Sequence, residues 1–206
     1  SGEAPDAKLE RVLIEFLKEN DINVEYVNDL RDRKGISVAG ISFLADRVIK
    51  IAKNKADITT LPEEAAHFIV EMLRSNETLY RAMYNLAKRS DTFTKVYEEY
   101  SEVYNNNEEK IVKETMGKIL ADYIIKRHKN MQDLPTNRRN LLQRILRWIY
   151  SFFGKTKSEK LQEAIDDVYG EIANKIFNKT LETDPTQLGA ERIDHKKSDP
   201  LVAELM

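Results

Sequence analysis

Thr59-Thr60-Leu61-Pro62-Glu63-Glu64-Ala65-Ala66-His67-Phe68-Ile69-Val70-Glu71 is the stretch on which the fold turns. Thr60 and Glu63 have capping-box spacing, and Pro62 suits a first helical turn. The spacing therefore predicts a helix that opens here and runs to about Ser75. On a wheel of about 3.6 residues per turn, Glu63, Glu64, His67 and Glu71 fall in one narrow sector. The rest of the circumference is Ala65, Ala66, Ile69, Val70, Met72 and Leu73. A helix that is apolar nearly all round belongs in a core. Carboxylates and an imidazole on such a helix are costly unless paired or metal-bound. What that stripe faces is the main question about function.

On the N-terminal side, Leu9, Val12, Leu13, Phe16 and Leu17 have helical spacing within residues 6–20. Residues 22–27 alternate as a half-buried strand does, and the charged run 28–35 reads as a loop ending at Gly35. Residues 36–52 read as a hairpin turning at Ala45-Asp46, with a helix over 44–53 as the competing reading. On the C-terminal side, helices are expected over 77–88, 91–104 and 107–129. The run Asn105-Asn106-Asn107 marks a break, and 130–136 is a connector. Residues 136–153 place Leu141, Leu142, Ile145, Leu146, Trp148, Ile149, Phe152 and Phe153 on one side. Arg138, Arg139, Arg144 and Arg147 lie on the other, a basic amphipathic helix. A last helix is expected over Ser158–Leu181, and 182–206 reads as an irregular tail.

These elements predict a mainly α chain with a small β-hairpin or sheet. A first domain takes residues 1–130, a helical extension 131–181 and the tail 182–206. The 206 residues suffice for a real core. A net charge of -2 provides no global pull toward nucleic acid, and no nucleic-acid partner is expected. With no cysteine, disulfides, thiolate metal sites and Cys nucleophiles are excluded. No apolar run reaches the roughly 20 residues of a membrane span. No signal peptide is recognisable, so a cytoplasmic or virion-associated rather than secreted protein is expected. Ser1-Gly2 reads as a cloning remnant, which makes the chain a candidate piece of a longer polypeptide.

A His and a carboxylate at i and i+4 on a helix point the same way. This is the logic of the H-E-x-x-H zinc helix, in which two ligands one turn apart grip the metal and the Glu between them serves as base. Here the element is Glu63-Glu64-Ala65-Ala66-His67, with Glu in place of the first His. Carboxylate oxygen is an acceptable zinc ligand. A further ligand must come from elsewhere. Glu114 shares a helical face with Ile111, Gly117, Ala121 and Ile125, where a carboxylate needs a core partner. Gly117 and Ala121 would let another helix approach. His128 lies about 20 Å farther along that helix, His195 falls in the tail, and Glu71 sits on the same helix as Glu63, which makes convergence hard.

The hairpin ending in Arg47-Val48-Ile49-Lys50-Ile51, the stretch from Thr59 to Phe68 and a later helix bearing Glu114 together resemble a zincin-type metallopeptidase of the gluzincin kind. Among these, the chain is most similar to the peptidase domains embedded in large phage and mobile-element proteins. The resemblance covers roughly residues 36–130. It implies a zincin-like core, which a C-terminal helical extension is expected to follow, and an edge strand that holds substrate. It also implies a zinc or other divalent ion on Glu63, His67 and Glu114, Glu64 as the catalytic base, and a peptide or protein as substrate. The alternative is a metal-free structural or interaction module that keeps the peptidase fold.

Each site residue also has a plainer role. Glu63 can serve the helix N-terminus, contributing about 0.3–1 kcal/mol, and Glu64 can be an ordinary first-turn acid. His67 can be a core histidine bonded to Glu114 or Glu71, and Glu114 a surface carboxylate on a misphased helix. The stripe Tyr97, Tyr100 and Tyr104 reads as core packing. The basic helix 136–153 reads first as packed on the domain, next as docked to a protein partner, and last as lying on an anionic membrane surface.

Overall fold

The computed structural model describes residues 5–32, 34–136 and 158–190. The chain is mainly helical with one small sheet. Helix α1 (Pro5–Glu19) leads into strand β1 (Asn23–Val27), followed by β2 (Gly40–Phe43) and β3 (Val48–Ala52). Helices α2 (Thr60–Met72), α3 (Glu77–Arg89), α4 (Asp91–Tyr100), α5 (Glu108–Asn130) and α6 (Ser158–Phe177) complete the body. A 3-10 turn over Leu73–Ser75 extends α2 to the predicted end.

Strands β2 and β3 form the expected hairpin, antiparallel with Ser42 opposite Ile49. Arg47 closes its turn at φ 55°, a left-handed conformation in which an ordinary side chain is uncommon. The competing helix over 44–53 is therefore overturned. Long-range pairing adds a feature that local spacing does not reveal. β1 docks parallel to β3, giving the order β1-β3-β2 and leaving β2 at an edge. One face of the sheet sends Val24, Ile49 and Ile51 into the main core, and the other gathers Ile41, Phe43, Ala52 and Leu30 in a smaller cluster.

Helix α2 is the centre of the main core. Ala65, Ala66, Phe68, Ile69 and Met72 are fully buried, against α5 on one side and β2 and β3 on the other. Its start falls where the sequence puts it, but the cap differs from the predicted box. Asp57 Oδ1 accepts from the Thr59 amide at 2.8 Å and the Thr59 hydroxyl at 2.6 Å, and Thr60 Oγ1 accepts from the Asp57 amide at 3.0 Å. The Glu63 amide bonds the Thr59 carbonyl at 3.0 Å. Those Thr59 bonds hold the Asp57 carboxyl below its ordinary value. The N-cap is Thr59, one residue before the predicted Thr60, and has no side-chain cap bond; Asp57 instead orders the turn that leads into it.

Two further expectations meet the structure near the C-terminus. Val168, Tyr169, Ile172 and Ile176 of α6 sit in the same apolar cluster as α2, α3 and α5. The Tyr169 hydroxyl donates to the Met83 carbonyl at 2.8 Å. The tail expected to be irregular from residue 182 forms a short helix over Gln187–Ala190, and this first part is docked. The Asp184 amide donates to the Met72 carbonyl at 3.1 Å, the Thr183 hydroxyl to Asn20 Oδ1 at 2.6 Å and Arg47 Nη2 to the Pro185 carbonyl at 3.2 Å. Leu188 is buried. The basic stretch from 137 to 153, and His195, lie outside the described residues. Among the described residues, no helix is long and apolar enough to cross a membrane.

Candidate functional site

The polar stripe of α2 divides at its second turn. Its N-terminal part, Glu63, Glu64 and His67, lies between the edge strand β2 and α5. His67 lies against the glycine of α5: a Cβ at Gly117 would stand 3.4 Å from Nδ1 and 3.6 Å from Cε1 of the imidazole. The close approach that Gly117 was expected to allow is thus used by the histidine itself. Glu114, one turn earlier on α5, is 7% exposed. The phase of that helix is therefore the predicted one, and the surface alternative for Glu114 fails. Its Oε2 accepts from the Tyr104 hydroxyl at 3.2 Å.

Glu64 is turned toward β2. The Ser42 hydroxyl donates to Glu64 Oε2, and it also lies 3.0 Å from the Glu64 main-chain carbonyl. Burial raises the Glu64 carboxyl above its ordinary value; His67 and the Ser42 bond oppose this, and Glu114 and Glu63 add to it. Burial raises Glu63 as well, opposed by Lys118 and His67 and reinforced by Glu114 and Asp122. These mutual influences place Glu63, Glu64, His67 and Glu114 in one electrostatic neighbourhood. Lys118, one turn beyond Glu114, stands over the Tyr100 ring at 5.5 Å, and Tyr100 stacks on Tyr104 with centroids 5.6 Å apart. Burial and the nearby Glu114 raise the Tyr100 phenol.

Glu71, on the same predicted stripe, has another role. Lys113 Nζ lies 3.2 Å and Arg74 Nη1 3.4 Å from its carboxylate. It is the anion of a buried ion pair. His128, near the far end of α5, is buried and apart from the cluster.

The donor types suit a divalent cation, since imidazole nitrogen and carboxylate oxygen are ordinary zinc ligands. Three carboxyl groups that share an electrostatic neighbourhood with one imidazole and one lysine are also the acid-rich surroundings that a dication neutralises. Orientation is a separate matter. Among the described residues, no three His, Asp or Glu side chains form a group that could hold a metal ion. Glu63, His67 and Glu114 share a neighbourhood without meeting at one point, and Tyr104 holds one oxygen of Glu114. Loading an ion would require side-chain rotation on backbones already adjacent.

Sequence reasoning missed Gly40, Ser42, Tyr104 and Lys118. Gly40 and Ser42 carried a signal, being small or polar at alternate positions of a strand whose partner is apolar there. Tyr104 stood in a stripe read as packing alone. It is buried beside Val96 and Ile111, but its hydroxyl reaches Glu114. Tyr97, of the same stripe, is exposed. The chain matches no protein-family model, no curated protein and no solved structure.

Proposed function

We propose that the chain is a zincin-like metallopeptidase domain that hydrolyses peptide bonds in a peptide or protein substrate. One observation carries this reading. The Glu63-Glu64-x-x-His67 face of α2 is lodged between an antiparallel edge strand and a helix that brings Glu114 to the same neighbourhood. Glu63, His67 and Glu114 would hold a zinc or similar ion. That ion, when bound, supplies Lewis acidity toward the scissile carbonyl and toward water. Glu64 accepts the proton of the attacking water and delivers it to the leaving amine nitrogen. Its raised carboxyl suits it to both halves of that transfer. As the edge strand of the sheet among the described residues, β2 would offer main-chain groups to an extended peptide beside Glu64.

A second reading has its own support, namely that the three ligand candidates do not meet at one point. In that case the domain is a metal-free interaction module, with residues 136–153 as the contact segment. One experiment separates the two. Metal content is measured after purification without chelator and again after zinc addition, alongside cleavage of an unstructured peptide. The peptidase reading expects one equivalent of zinc, lost in His67→Ala and Glu114→Ala, and cleavage lost in Glu64→Gln. No bound metal under either condition overturns it in favour of the module.

A further inference from the structure

Strand β2 breaks the apolar pattern of its own sheet at two positions, and both face Glu64. The sheet face toward α2 carries Val24 on β1 and Ile49 and Ile51 on β3, as a covered face should. The register sets Gly40 opposite Ile51 and Ser42 opposite Ile49, and residues directly opposite share a face. Ile41 and Phe43, the alternate pair, turn to the smaller cluster on the other side. A β-branched residue would be the ordinary choice at a covered strand position such as Ser42, which is 7% exposed.

We propose that Gly40 and Ser42 are positioning residues that seat the Glu64 side chain, Gly40 by leaving room for it and Ser42 by binding its carboxylate. A Cβ on Gly40 would stand 2.9 Å from Glu64 Cγ, 3.2 Å from its Oε1 and 3.0 Å from Thr60 Cγ2. Cγ lies midway along the glutamate, so the clash displaces the whole carboxylate rather than a flexible tip. Ser42 reaches both the main-chain carbonyl and the carboxylate of the same residue. The single hydroxyl proton goes to the carboxylate while Oγ sits 3.0 Å from the carbonyl of the same residue, which ties the side chain to β2 beside its own helix. The edge strand thereby aims the base as well as bordering the site. This inference rests on the reading of Glu64 as the base.

The test compares crystal structures of the full chain with those of Ser42→Ala, Ser42→Thr and Gly40→Ala, together with zinc-supported hydrolysis of one peptide. Glu64 is expected to leave its seat in both alanine variants and to keep it in Ser42→Thr. In the alanine variants kcat is expected to fall about 10–100-fold with KM unchanged, and Ser42→Thr to restore it. A Glu64 carboxylate in its original place in both alanine variants overturns the proposal. So does a Ser42→Thr variant as impaired as Ser42→Ala. If the full chain with zinc cleaves no peptide, the peptidase reading fails and the Glu64 position alone decides the seat. If Ser42→Ala does not fold, Gly40→Ala decides it.

Discussion

The α2–α5 interface buries charge at both ends and handles it in opposite ways. Toward the C-terminus of α2, Glu71 is met by Lys113 and Arg74, so a carboxylate 7% exposed has two cations within reach. About two turns earlier on α2, Glu63 and Glu64 are acted on by His67 and by Glu114 of α5, and Lys118 is the lysine acting on Glu63. A fold that only needed to bury charge would treat both ends alike. The unbalanced end keeps the Glu63 and Glu64 carboxyls raised, by burial first and by neighbouring carboxyls after it, the condition in which acid–base and ligand-binding groups are found.

Breaking the balanced end should have the largest effect. Lys113→Met leaves the Glu71 carboxylate buried with less compensation and is expected to cost about 3 kcal/mol in urea unfolding. Adding Glu71→Met should recover most of that loss, because the uncompensated charge goes with it. Zinc should act at the other end alone. At a hundredfold excess over its Kd it is expected to add about 2.7 kcal/mol to stability, in wild type and in the Met pair but not in His67→Ala. Equal stabilisation of all three proteins would mean that the ion binds elsewhere.

Removing charge at the unbalanced end should help the fold. Glu63→Gln and Glu64→Gln are each expected to stabilise by about 0.5–2 kcal/mol while lowering zinc uptake and cleavage respectively. The pH dependence has a definite sign. An acid raised in the folded state makes that state bind more protons than the unfolded chain, so its stabilisation is full below the ordinary value of 4.5 and is lost as pH rises through the folded value. Thermal melts should therefore show the gain of the Gln variants widening as pH rises from 4.5. A constant gain across that range would mean that the carboxyls are not raised. The smallest effect calibrates the rest: the exposed pair of Arg81 with Glu77, at 2.7 Å, is expected to cost under about 0.5 kcal/mol in Arg81→Ala.

Local order was legible because periodicity reports it directly. The burial of α2, the hairpin turn and the breaks at Asn105–Asn107 all follow from residues close in sequence. Glu114 could be phased onto the core face because Ile111, Gly117 and Ala121 mark that face. Pairing across long stretches could not be read, since nothing in 23–27 states that its partner is 48–52 in parallel. The same limit separated Glu71 from its stripe-mates. The wheel put it with Glu63 and His67, and only the position of Lys113 on another helix assigns it to the ion pair. The cap was misread for a different reason: Thr60 is already inside the helix, and Thr59 stands at the N-cap with its amide and hydroxyl bound to Asp57.

The segment that closes over the end of α2 bears on how the protein is made. The Met72 carbonyl accepts from the Asp184 amide, and Asn20 and Arg47 bind Thr183 and Pro185. During synthesis from the N-terminus, helix, hairpin and α2 leave the ribosome long before these partners exist. A nascent chain halted before residue 183 must leave the C-terminal end of α2 uncovered, so ribosome-stalled chains should gain protease resistance there only once residue 188 has emerged.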